Sequence, residues 1–162
     1  YEGDYYFNPG LPEVREYIVR GAEELARKYD IDGIHLDDYF YPGSGFADGA
    51  AYAKYGKGFS NIGDWRRDNV NQLVKTLGER IHAIDPGLSY GISPSGVWAD
   101  KSSLPQGSNT TGGYESYYAS YADSRKWVKG GVDRLHLPPD STGTSATRAW
   151  TTPRWPAGGR IR

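Results

Sequence analysis

The sequence predicts an α/β fold built on a parallel sheet. Helical and strand patterns alternate along the chain in the order helix, strand, helix, strand, helix, which calls for crossover helices between parallel strands. The first strand pattern is short and apolar, Ile31, Ile34 and Leu36, and stops at Pro42-Gly43. Each strand is followed by more chain than a plain βα unit needs, so the excess lies in the loops at the strand ends, where such folds keep their chemistry.

The elements follow in order. Tyr1 to Gly10 is aromatic and rich in turn residues, and Asn8-Pro9-Gly10 is a turn signal. Pro12 suits a first helical position. Val14, Ile18, Ala22, Leu25 and Tyr29 recur at helical spacing and predict an amphipathic helix over 12–29. Gly21 inside it costs about 1 kcal/mol relative to Ala. The strand at 31–41 reads Ile-Asp-Gly-Ile-His-Leu-Asp-Asp-Tyr-Phe-Tyr. Residues 43–63 read as a long glycine- and aromatic-rich loop packed over a site. Asp64 is the expected N-cap of the next helix, whose stripe runs Trp65, Val70, Leu73, Val74, Leu77, Ile81 and Ile84 to the stop at Asp85-Pro86-Gly87. Arg66, Arg67, Asn69 and Asn71 in its first turns read either as site residues or as a solvated face. A second strand is expected within 88–98, then polar loop over 99–113. A third helix is expected over 114–129, with Tyr117, Tyr118, Tyr121, Trp127 and Val128 as its apolar face.

Composition narrows the function classes. The chain has 162 residues, enough for one domain with a real core, and a net charge of -1, which gives no general pull toward nucleic acid or an anionic membrane. No apolar run approaches the ~20 residues of a membrane span. There is no Cys, which excludes disulfides and thiolate metal sites. There is also no Met, so the chain is expected to continue upstream, and the lack of a visible signal peptide says nothing about export. Aromatics make up 14% of the residues, with 14 Tyr and 5 Trp, an excess that suits a sugar-stacking groove as well as a core.

Along a strand, side chains alternate faces. His35 and Asp37 therefore share one face while Leu36 and Asp38 share the other. Carboxylates at the carboxyl end of a buried parallel strand are placed for catalysis in a βα-barrel. The plain alternative is that one Asp caps the following loop and the other is solvated.

The stretches Asn8-Pro9-Gly10 with Pro12-Glu13-Val14-Arg15, Asp32 to Pro42, Trp65 to Asn71, Gly91 to Trp98 and Tyr121 to Trp127 resemble, in this order, the glycosyl hydrolase-like 10 family, formerly a domain of unknown function. The resemblance implies a (β/α)8 TIM barrel, glycoside hydrolysis, a bacterial cell-wall or related polysaccharide as substrate, and an extracytoplasmic location. It implies that residues 1–131 are an internal fragment of such a barrel, about three βα units, which alone would be inactive and poorly folded.

After Gly131 the family pattern would continue as a strand reading roughly W-I-D-Y-I-C-P-Q. The chain instead reads Val132-Asp133-Arg134-Leu135-His136-Leu137-Pro138-Pro139-Asp140. Codons that spell this stretch, GTG GAT CGA CTA CAT CTG CCC CCA GAT, give TGG ATC GAC TAC ATC TGC CCC CAG when read one base later, which is the expected strand. Residues 132–162 are therefore expected to be an aberrant, frameshifted tail without a fold. From 138 onward it has four Arg against one Asp and no apolar period, and His136 and Trp150 should carry no function.

In a retaining glycosidase two carboxyl groups stand about 5–5.5 Å apart, one as nucleophile and one as acid/base, and inverting enzymes place them further apart. Neighbours on a strand point to opposite faces, so Asp37 and Asp38 are not the pair. Asp37, beside His35 on the lumen face, is the catalytic candidate. Asp38 at the rim would bond substrate or anchor the loop. Tyr39, Tyr41 and Trp98 are candidate sugar platforms, each with the alternative of packing beneath the loops. A second carboxylate is not evident. His35, Asp37 and Asp38 do not converge on a metal from one strand, and the glycine-rich loop has no phosphate-binding pattern, so no metal or cofactor is expected. A carbohydrate-binding barrel without catalysis is the alternative function.

Overall fold

In the computed structural model the described residues are 1–37 and 40–130, together with the backbone of 134 and 135. Asp38, Tyr39, His136, Trp150 and the expected frameshifted tail, apart from the backbone of 134 and 135, lie outside them. The elements are α1 (Pro12–Lys28), β1 (Gly33–Asp37), α2 (Gly49–Tyr55), α3 (Ile62–Ile84), β2 (Ser89–Ser93), α4 (Ser116–Ala119), α5 (Ser124–Lys129) and β3 (Arg134–Leu135). The strands form a parallel sheet in the order β1-β2-β3. The α/β class is as expected, and α3 is the crossover between β1 and β2. Arg134 and Leu135 continue the sheet beside β2, within the stretch expected to have no fold.

The core lies between the sheet and the helices. Ile34 and Leu36 of β1 and Tyr90 and Ile92 of β2 face Val19 and Ala22 of α1, the Val70, Leu73, Val74, Leu77 and Ile81 stripe of α3, and Trp127 of α5. Tyr90 also donates its hydroxyl to the Val74 carbonyl at 3.1 Å, which ties β2 to α3. On α1 the buried stripe is rotated from the expected one. Val19 and Ala22 are buried, while Leu25 and Tyr29 are 48% and 62% exposed. The reason is the α1–α3 seam, where Arg80 grips the Glu23 carboxylate with bonds of 2.8 and 2.7 Å and so faces Glu23 rather than Leu25 toward α3.

Three local expectations need correction. The long loop after β1 holds α2 within it. The N-cap of α3 is Asn61, whose side chain accepts from Asp64 N at 2.8 Å, so the helix starts a turn earlier than Asp64 implies. The third helix is two short pieces, α4 and α5. The chain breaks at Tyr121, where φ is 58°, a left-handed backbone that ends a helix. Ala122 N then bonds back to the Ser116 carbonyl at 2.9 Å and closes the turn.

Candidate functional site

The carboxyl ends of β1 and β2 bring the candidate residues together. The register pairs His35 with Gly91 and Asp37 with Ser93. Because Ile34, Leu36, Tyr90 and Ile92 fill the helix side, alternation puts His35, Asp37 and Ser93 on the opposite, open face. His35 and Asp37 are exposed there. His35 Nε2 and Ser93 Oγ share a hydrogen bond of 2.6 Å across the two strands, with the donor set by the imidazole tautomer. Asp37 thus stands at the strand end beside a histidine that a serine holds in place. Sequence reasoning named His35 and Asp37 but passed over Ser93, because a Ser before Pro94 reads first as a strand stop.

The proposed platforms fare differently. Tyr41 is fully buried, its ring 5.8 Å from Phe46 and 5.3 Å from Tyr121 in edge contacts. A ring with no exposed face cannot stack on a sugar, so its packing role holds and its platform role is withdrawn. Burial also pushes its hydroxyl well above the usual tyrosine range, with the neighbouring Asn69 amide acting against it. Trp98 is half-buried and already partnered. Its Nε1 donates to Asp123 Oδ1 at 3.1 Å, the Arg125 guanidinium lies 4.2 Å over its ring, and Tyr117 meets it at 5.0 Å. Stacking of a sugar on that face requires Arg125 to swing away.

The first turn of α3 is not a solvated face. Arg66 is buried and every N–H of its guanidinium is used. It donates to Asp48 at 2.9 and 2.5 Å, to the Ser44 and Phe46 carbonyls at 2.8 Å each, and to the Tyr121 hydroxyl at 2.9 Å. Burial works against its charge, but the bonds from Asp48 and Tyr121 outweigh it and its pKa is raised. Asp48 precedes α2 yet caps no backbone group, because Arg66 takes both its oxygens. Nearby, Arg15 donates to the Pro9 carbonyl at 2.6 Å and to Asn69 Oδ1 at 3.0 Å, which ties the first turn of the chain to α3. Asn71 accepts from Trp127 Nε1 at 2.7 Å. These residues tie the segment that follows β1, the start of the chain and the Tyr121 turn to α3.

The loop after β2 is tied in the same way. The buried Asp100 accepts from Gly112 N at 3.0 Å and from the Thr110 hydroxyl, and Glu115 accepts from Asp100 N at 2.7 Å. Among the described residues, no group of three or more His, Asp or Glu is arranged to hold a metal.

The pattern of the family described as glycosyl hydrolase-like 10 matches residues 2–137. The chain belongs to the glycosyl hydrolase-like 10 family. It is 52% identical over 136 residues to the protein named glycosyl hydrolase YngK of Bacillus subtilis, a match covering 81% of this chain and 27% of that protein. It is 43% identical over 131 residues to the protein named glycosyl hydrolase DigH of Escherichia coli K12, covering 79% of this chain and 30% of that protein. The chain therefore spans less than a third of the length of these relatives. The family match takes in α1, both long strands, their loops and β3, so the open face with His35, Asp37 and Ser93 belongs to the glycosyl hydrolase-like part of the chain.

Proposed function

We propose that this chain forms part of a (β/α)8 barrel that hydrolyses O-glycosidic bonds in a bacterial cell-wall or related polysaccharide, with Asp37 as one of the two reacting carboxylates. The observation that carries the reading is that, among the described residues, the core helices pack on one face of the sheet. The strand order follows the chain, α1, α3 and α5 pack on one face, and the polar triplet His35, Asp37 and Ser93 lies on the other at the strands' carboxyl ends. An open doubly wound sheet would carry helices on both faces. A barrel turns its bare face inward and reacts at that end. His35 and Ser93 would hydrogen-bond the sugar beside the scissile bond, Asp38 and Tyr39 would contact it from the rim, and Trp98 would stack once Arg125 moves.

Hydrolysis needs a second carboxylate. Among the described residues of β1 and β2, Asp37 is the one carboxylate. We assign its partner to strands outside these 162 residues, which would then be inactive alone. The same observation favours a second reading, a barrel that binds carbohydrate without cutting it. The test incubates the full gene product with purified bacterial sacculi and counts new reducing ends. Cutting supports the glycosidase, binding without new ends supports the binder, and neither would refute both. A substrate of that class would call for an extracytoplasmic protein, which cell fractionation would check.

A further inference from the structure

His35 and Ser93 meet across two strands whose alignment is fixed at both ends. At the start, Gly33 pairs with Ser89, and a Cβ on Gly33 would overlap the Ser89 carbonyl oxygen, so the strands approach there as only glycine allows. Ser89 N also bonds the Asp32 carbonyl at 2.9 Å. At the finish, Ser93 lies between Ile92 and Pro94, both fully buried. A residue before proline is held to extended backbone, so Ser93 keeps its side chain on the face opposite Ile92. A slip of one residue would bury Ser93 and expose Ile92. The backbone thus places the hydroxyl before it meets any partner. The bond it makes to His35 adds little to the fold, because the imidazole is exposed and water can serve both groups there. What the 2.6 Å bond does is occupy Nε2 and turn the ring along the sheet. His35 pairs in register with Gly91 and Ser93 lies two residues further on, so the ring leans toward the strand ends. Ser93 is itself the register partner of Asp37, which brings carboxylate, hydroxyl and imidazole to one strand end. Among the described residues no hydrogen-bond partner takes the other ring nitrogen, Nδ1.

We propose that Ser93 is a positioning residue for His35, fixing the imidazole beside Asp37 so that Nδ1 meets the sugar. The inference rests on the glycosidase reading and deepens it. Ser93 also touches the sugar in that reading, but its larger effect passes through His35. An exposed imidazole without a partner would turn among its rotamers, and a group misplaced by about 1 Å at a reacting centre can cost about a hundredfold in rate. A ring pinned before the substrate arrives avoids that loss.

The experiment is a double-mutant cycle on the full gene product, reading reducing-end release from soluble glycan strands prepared from bacterial sacculi. His35→Ala should lower kcat about a hundredfold, and Ser93→Ala about tenfold with KM within about twofold of the wild type. Because both changes act through one ring, together they should cost about a hundredfold rather than the roughly thousandfold product of independent losses. Ser93→Thr returns a hydroxyl to a strand position that suits a β-branched residue, and should recover most of the rate lost in Ser93→Ala. Melting temperatures should match, since neither side chain enters the core; should His35→Ala melt early, His35→Gln takes its place in the cycle. A double variant that loses the full product, or a Ser93→Ala effect confined to KM, overturns the positioning role while the glycosidase reading stands. A Ser93→Ala rate within about twofold of the wild type does the same. A wild type that releases no reducing ends overturns the glycosidase reading and this inference with it.

Discussion

Arg66 contributes more to the site than its place in the sequence announces. An arginine in the first turns of an amphipathic helix normally points to water, yet this one is 3% exposed and bonds Asp48, Tyr121 and two loop carbonyls. Removing one partner of a buried ion pair leaves the other charge unanswered, so Arg66→Ala or Asp48→Ala should destabilise by about 3–5 kcal/mol in urea unfolding. Arg66→Lys should recover only part of this, because a point charge cannot reproduce the fork. A loss below about 1 kcal/mol, the range of an exposed pair, would contradict the burial. The placement of Asp37 and His35 on one face of β1 was legible because strand alternation is a local pattern. The roles of Arg66, Asn69 and Ser93 were not, because each depends on residues many positions away: Asp48, Arg15 and His35. Tyr41 shows the same limit. Its tyrosine-rich neighbourhood reads equally as platform or core, and only Phe46 and Tyr121 closing on it decide for the core.

At the scale of elements, α1, β1, α3 and β2 follow from periodicity and stop signals, and their existence and order were legible. Their ends were less so, since caps are chosen by geometry. Both Asn61 and Asp64 suit an N-cap, and Asn61 takes the role while Asp64 pairs with Arg67 at 2.5 Å. Asn61→Ala should therefore cost about 1 kcal/mol of stability. The α4–α5 break was illegible because Tyr121 is no helix breaker by type. Its left-handed backbone is held by its buried ring and by Arg66. The turn before α1 tests close packing. A Cβ on Gly10 would lie 2.3 Å from the buried Trp65 ring, so Gly10→Ala should lower the melting temperature by several degrees, about 1–3 kcal/mol of overpacking. An unchanged melt would contradict the Trp65 placement.

At the scale of the molecule, charge and burial set the pH range of stability. Arg80 holds Glu23, and Arg67 holds Asp64, below the ordinary 4.5 and 3.8 of these groups. Carboxyls lowered in the folded state add stability that is present above those ordinary values and is lost as the pH falls through the lowered ones. Unfolding should thus ease as acid takes the pH below about 4, and less so in Glu23→Gln with Asp64→Asn. Burial raises the Tyr41 and Tyr90 hydroxyls above the ordinary 10.0. A raised acid stays neutral when folded, so its contribution is full below pH 10.0 and is lost as the pH climbs toward the raised value. Tyrosinate absorbance should accordingly leave a late fraction that appears only with unfolding. The parallel order of the sheet was legible from alternation, and among the described residues the polar face follows from packing the core helices on the other side. The central claim is that this face cuts glycosidic bonds through Asp37. The most direct measurement compares reducing-end release from sacculi by the full gene product and by its Asp37→Asn variant. Loss of at least about a hundredfold in rate with an unchanged melting temperature is the predicted result. A variant that cuts as fast as the wild type would contradict the account.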